Sequence, residues 1–328
     1  MKNSLCLAGT DGLILAEREG DTWIVAGKSL SGHSLSCMIA DGSLILAGTS
    51  SGLFRSADGG KSWREVEGDI AGSHLRWLAS PPEEGGPYLA GTEPAGIYVS
   101  HDEGNSWVGC PRVEKLRDTF GWYLPYSPEA GCVRGFALSG PGTHDKKIYA
   151  AVEVGGVLVS TDGGTSWDLV EGSDGSPNMD LPAGPLIHPD VHSITVHPST
   201  PDLVTASTGG GLFRSHNGGK SWNCLYRCYC RASWVNPSDP RHILFGPADG
   251  VSRGGRIEES LDGGSSWHTA STGLDVPWPQ TMVERIFQTG DELLALLSSG
   301  DIWSTGLEEI KWFRQLPDSG HVTSIATY

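Results

Sequence analysis

One short phrase recurs five times and constrains the fold of this 328-residue chain more than any other feature. It reads Ser, any residue, Asp, Gly, Gly, any residue, Ser, Trp. The copies are SADGGKSW at Ser56–Trp63, SHDEGNSW at Ser100–Trp107, STDGGTSW at Ser160–Trp167, SHNGGKSW at Ser215–Trp222 and SLDGGSSW at Ser260–Trp267. A short run, apolar in most copies, precedes each of them: GLFRS, GIYVS, GVLVS, GLFRS and RIEES. The copies are roughly 45–60 residues apart, a period that belongs to propellers and arrays.

Asp-Gly-Gly is turn chemistry. Glycine accepts positive φ without a steric penalty, and an Asp side chain can bond the backbone two residues on. The run before the phrase and the Trp after it therefore read as two antiparallel strands joined by a tight turn. The Trp supplies a large ring to bury between neighbouring sheets. The competing reading makes the Asp a calcium ligand or a catalytic acid. The turn brace is favoured, because the oxygens are too few for a calcium loop. Asn217 and Glu103 also stand in two copies where the phrase has Asp and Gly, changes that suit a turn better than a charged site.

The Trp positions count the units. One period beyond Trp267 lies Trp312, and one before Trp63 lies Trp23, both in copies that have lost Asp-Gly-Gly. A second strand also recurs seven times, as LCLAGT, LILAGT, YLAGT, KIYAAV, LVTAST, HILFG and ELLALL. Six of these have a further strand in front. The unit at the chain start lacks one, and HVTSIATY at His321–Tyr328 is expected to supply it. The sequence thus predicts an all-β fold, a seven-bladed β-propeller of four-stranded antiparallel blades forming a single domain over 1–328. Its blades fall at about 320–328 plus 4–28, 33–67, 74–110, 132–171, 191–226, 231–270 and 282–316. The ring closes where the C-terminal strand pairs beside Ser4–Thr10, leaving no open edge at the seam. The segment VEKLRDTF has the one helical pattern, of about two turns.

The phrase resembles the BNR or Asp-box repeat of sialidases, xyloglucanases, sortilin-type receptors and photosystem II assembly factors. That resemblance spans nearly the whole chain and implies the propeller fold. It does not imply one activity, because these relatives do different things on the same fold. Sialidases use an arginine triad with a Tyr–Glu nucleophile and an Asp acid. This chain has no Arg-Ile-Pro near its start and no Tyr–Glu pair placeable at the channel, so the resemblance does not carry that activity over.

Composition excludes several partners. The net charge is −16, and the few Lys and Arg are scattered, so a nucleic-acid interface is not expected. An acidic membrane surface would repel the chain, and no stretch is long enough for a membrane span. The N-terminus enters a strand without an apolar leader, and the 7 Cys are odd in number, which together point to the reducing cytoplasm.

Candidate chemistry gathers where the innermost strands begin. His33, His74, His192 and His321 start four of them, and imidazoles converging on an axis would hold a divalent transition metal such as Fe, Cu or Zn. Arg76, Arg134, Arg231 and Arg285 come from four blades and suit a carboxylate or other anion. Glu284 is the acid on an inner strand, and Asp190 precedes His192, so Glu284, His192 and Asp190 are the candidate catalytic groups. Two long loops, Cys110–Gly131 and Glu171–Asp190, are expected to roof this pocket, the first offering Trp122, Tyr123 and Tyr126 for stacking. The readings left open are three. One is a pocket for a small anionic or sugar-like ligand, with hydrolase or lyase chemistry. The second is a metal-dependent enzyme using axial histidines. The third is a non-catalytic propeller that binds a protein.

Overall fold

Each recurring phrase folds into a turn held by its own side chains. At Ser56–Trp63 the Ser56 hydroxyl donates to Asp58 Oδ1 at 2.7 Å and accepts from the Gly60 N–H at 2.9 Å. Asp58 also accepts from the backbone of Lys61 and Ser62, and from the Ser62 hydroxyl at 2.6 Å. The same pattern recurs at Asp102, Asp162 and Asp262, and Asn217 reproduces most of it. These carboxylates are thus consumed by local bonds. Gly59 and Gly60 take φ of 72° and 85°, the left-handed region where glycine is favoured.

The computed structural model describes residues 4–20, 22–81, 83, 85–123, 131–139 and 146–327. Seven four-stranded antiparallel sheets stand in a ring, forming a seven-bladed β-propeller. The innermost strands, in ring order from blade 1 to blade 7, are Val322–Thr327, Leu35–Asp41, His74–Ala79, Val133–Leu138, Val191–His197, Tyr229–Val235 and Val283–Thr289. Blade 1 is the composite one: Val322–Thr327 pairs antiparallel with Ser4–Gly9, Leu7 standing opposite Ile325. The ring therefore closes as the sequence predicts, with Tyr328 outside the described residues.

The core lies between blades. Each tryptophan that follows the turn packs against the blade before it: Trp107 joins Leu44 and Leu46, Trp167 joins Leu89 and Val99, and Trp222 joins Tyr149 and Val170. Trp23 and Trp312, from the two degraded copies, do the same against Leu294 and Trp234. The repeating Gly of the second strand has a matching cause. A Cβ at Gly48, Gly91 or Gly246 would lie 2.5–2.6 Å from Leu75, Val133 or Val283 of the next blade.

The expected helix is Pro111–Phe120, longer than its apolar pattern suggested. Pro111 stands in its first turn, where a fixed φ favours helix and a missing N–H costs nothing. Among the described residues, no helix is long and apolar enough to cross a membrane.

Two outcomes follow. Asp162→Ala removes an acceptor of several local bonds and should cost about 1 kcal/mol in denaturant unfolding, leaving any ligand affinity unchanged. Deleting residues 321–328 opens two strand edges and should abolish cooperative thermal unfolding; an unchanged melting temperature would contradict the closure.

Candidate functional site

The innermost strands share one irregularity. Near its upper end each carries a β-bulge, an extra residue unmatched on the second strand. In ring order the extra residues are Thr323, Ser36, Arg76, Arg134, His192, Arg231 and Glu284. In blade 6, Arg231 and Ala232 share one partner position, Gly246. A bulge re-aims the side chain it carries. All seven of these line a single cavity of about 490 Å³ at the channel mouth, together with His74, Trp77, Arg285 and His321.

The charges in this cavity are mostly paired. Arg231 Nη1 lies 2.5 Å from Glu284 Oε1, and its Nε donates to the Tyr229 hydroxyl at 3.0 Å. Arg134 stands between Glu153 at 3.4 Å and Glu284 at 3.8 Å. Arg76 Nε and His74 Nδ1 both face Glu93 Oε2, at 3.4 and 3.8 Å. His192 Nε2 lies 3.2 Å from Asp190 Oδ2. Burial would raise the Glu284 carboxyl, but Arg231 and Arg134 outweigh it and hold it below its ordinary value. Asp190 is likewise lowered: the charge and close approach of His192, with Arg134, overcome its burial. Burial pushes the Cys132 thiol up to about 12, so it keeps its proton at neutral pH.

Arg285 differs from the other three arginines. Its guanidinium lies 4.0 Å from the ring centroid of Trp77, which comes from blade 3 on another wall of the channel. It donates to the Ser324 hydroxyl at 3.3 Å and forms no ion pair among the described residues. Burial pulls its pKa down to about 10. Arg285 and Trp77 line both the mouth cavity and a second cavity of about 390 Å³ below it, so their stack is the floor between the two.

Several expected site residues lie elsewhere. His33 packs edge-on against Phe54, ring centroids 4.7 Å apart, and is not part of the mouth lining. His321 does line the mouth, but its Nδ1 is 3.0 Å from the Ser299 carbonyl. The four-histidine centre is therefore not assembled: among the described residues, His192 alone of the four belongs to a group spaced to hold a metal. Trp122 is fully buried, donates from Nε1 to the Gly175 carbonyl at 2.9 Å and has no face left for a ligand. It ties the first long loop to the second. Tyr123 is exposed but donates its hydroxyl to Asp118 of the helix at 3.1 Å and does not line the cavity. Tyr126 lies outside the described residues.

Two acids escaped the sequence reading. Glu93 ends the second strand of blade 3 and Glu153 directly follows that of blade 4, in YLAGTE and IYAAVE, and their shared register was the signal. In blade 5 the matching position is Gly209. A Cβ there would lie 2.3 Å from Asp190 Oδ2, so the missing side chain makes room for the Asp190 carboxylate.

No family model matches the chain. It is similar to the oligoxyloglucan-reducing end-specific xyloglucanase of Emericella nidulans, 27% identical over 199 residues. That match covers 52% of this chain and 24% of the enzyme, so the chain spans about a quarter of that relative's length. Among solved structures it is similar to YCF48 bound to D1 peptide, with a TM-score of 0.62 and 17% identity over 94% of this chain and 90% of that one. It is also similar to an ancestral GH74 enzyme, with a TM-score of 0.63 and 16% identity over 99% of this chain and 40% of that one. At such identities these structures share the propeller fold with the chain, and their chemistry does not transfer with it.

The paired acid at the centre of the mouth generates a pH signature. Glu284→Gln leaves Arg134 and Arg231 short of a counter-charge in a mostly buried place, and should cost about 3 kcal/mol at pH 7. Glu284 has a lowered folded value, so its contribution is present above the ordinary carboxylate range, about 4, and is lost as pH falls through the folded value. Urea unfolding at pH 7 and pH 3 should show the gap between wild type and variant narrowing in acid. A gap independent of pH would mean that Glu284 does not act through its charge.

Proposed function

We propose that this propeller is a binding module that takes a carboxylate-bearing ligand at the mouth of its channel. Arg285 carries the reading. It is a cation held deep in the channel without an ionic partner among the described residues, stacked on Trp77 and partly open to the cavity. A desolvated guanidinium gains most from an anion with matching fork geometry, which a carboxylate supplies. Trp77 beside it offers an apolar face for the rest of a small ligand.

The channel acids favour binding over hydrolysis. Cleavage of a glycosidic bond needs one carboxyl that keeps its proton at working pH. Glu284 and Asp190 are both held on the ionised side by neighbouring cations. The similarity to a xyloglucanase therefore enters as kinship of fold rather than of reaction. The seven unpaired cysteines support a reducing, cytoplasmic setting.

A peptide is the second reading, favoured by the similarity along 94% of the chain to YCF48 bound to D1 peptide. A peptide C-terminus would bring the same carboxylate to Arg285.

Isothermal titration with succinate, glucuronate and a short peptide with a free C-terminus tests both readings. We expect binding by at least one of these, weakened tenfold or more by Arg285→Ala and partly restored by Arg285→Lys. A preference for the peptide over its amidated form selects the second reading. Binding indifferent to Arg285→Ala, or hydrolysis of a neutral xyloglucan oligosaccharide by the purified chain, overturns the proposal.

A further inference from the structure

Beside the arginine cavity, blades 4 and 5 bring together three groups, two of which hold buried atoms without a hydrogen-bond partner among the described residues. Glu153 follows the second strand of blade 4, Asp190 precedes the inner strand of blade 5, and His192 is the bulge residue of that strand. One ligating atom from each lies within 4.8 Å of the other two. His192 is 3% exposed, yet neither ring nitrogen has a hydrogen-bond partner among the described residues, nor does Asp190 Oδ1.

The neighbouring imidazole shows what a satisfied histidine looks like in this loop. His188 accepts from the Asp190 N–H through Nδ1 at 3.2 Å, and its Nε2 lies 3.1 Å from the Met179 carbonyl. His192 has no such arrangement. Its ring packs near Tyr229, centroids 5.2 Å apart, and Nε2 approaches Asp190 Oδ2 at 3.2 Å without donor geometry. Buried polar atoms without partners are rare in native proteins and point to a bound species or a functional role.

We propose that Glu153, Asp190 and His192 bind one divalent first-row transition-metal ion. One imidazole nitrogen with two carboxylates suits Mn²⁺, Fe²⁺ or Zn²⁺. Ca²⁺ and Mg²⁺ prefer oxygen ligands throughout, and monovalent copper prefers thiolate. One feature of the surroundings supports the assignment and one opposes it. The Cys132 thiol donates to Glu153 Oε2 at 3.1 Å, orienting that carboxylate from behind as outer-sphere partners of metal ligands do. Arg134 opposes a cation, since it stands 3.4 Å from Glu153 Oε1, but it has a second acid at hand in Glu284, 3.8 Å away. A bound metal would shift Arg134 toward Glu284, which then pairs both Arg134 and Arg231. This is a different set of ligands from the axial histidines that the sequence suggested.

The experiment uses the full chain, stripped with chelator and dialysed against Zn²⁺ or Mn²⁺ at micromolar concentration. One equivalent of bound metal is expected. His192→Gln should weaken it at least about 100-fold and Glu153→Gln at least about tenfold. Arg285→Ala should leave metal affinity unchanged, which separates this site from the carboxylate reading. If His192→Gln does not fold, Co²⁺ titration of the wild type replaces it: visible absorption saturating at one equivalent, displaced by Zn²⁺ and lost in Glu153→Gln, supports the site. No stoichiometric metal in the wild type, or binding indifferent to the substitutions, leaves His192 and Asp190 as a buried ion pair and overturns the proposal.

Discussion

Everything at the channel mouth depends on a repeated break in strand pairing. An inner strand that kept its pleat would alternate side chains between the two neighbouring blades. One extra residue at the same depth in all seven strands turns a side chain out of that alternation and into the channel. The break is affordable because the blades are pressed together around it. Gly48, Gly91 and Gly246 let Leu75, Val133 and Val283 approach where any Cβ would collide. In those three blades the glycine closes the gap to the next blade, and in all seven the break in pairing at the inner edge turns a side chain into the channel.

The two populations of acid in this chain do opposite things for the same physical reason. Asp58, Asp102, Asp162 and Asp262 sit in exposed turns and are saturated by local donors. Hydrogen bonds from Ser62 and Ser56 hold Asp58 well below the ordinary carboxylate range, so it stays ionised and does nothing but brace. Glu93, Glu153, Asp190 and Glu284 lie at the channel and face arginine or histidine: the first three those of their own blade, and Glu284 those of blades 4 and 6. A carboxylate in the first group concerns one turn. In the second group Glu284 couples three blades, so a change of ligand or of protonation there is felt across the ring.

The division was legible in the sequence to different degrees. The turn phrase is local: Ser, Asp, Gly and Ser sit within seven residues and their bonds close within the phrase. The seven-fold count and the closing strand could therefore be read without a structure. Arg76, Arg134, Arg231, Arg285 and Glu284 could be placed near the mouth because strand starts recur in register with the phrase. What could not be read was direction. Residues 33 and 36 both stand near the start of one strand, yet the bulge selects Ser36 for the channel and sends His33 against Phe54. Trp122 looked like a platform because it stands in a loop. A loop that packs onto the propeller needs its own core, and Trp122 supplies it beside Val113 and Leu116 of the helix. Glu153 was overlooked because its partners, Cys132, Asp190 and His192, are far from it in sequence or lie on another blade.

The seven bulge residues also divide the ring into two arcs. In blades 1 and 2 they are hydroxyls turned to structure. The Thr323 hydroxyl donates to the Leu35 carbonyl of blade 2 at 2.7 Å, and that of Ser36 to the Leu75 carbonyl of blade 3 at 2.6 Å. These bonds stitch the composite blade to blade 2, and blade 2 to blade 3. In blades 3 to 7 the bulges carry Arg76, Arg134, His192, Arg231 and Glu284. Charge among the bulge residues is therefore concentrated on blades 3 to 7, and those of blades 1 and 2 are neutral. A ligand entering from above meets charged bulge side chains on one arc of the mouth and hydroxyls on the other.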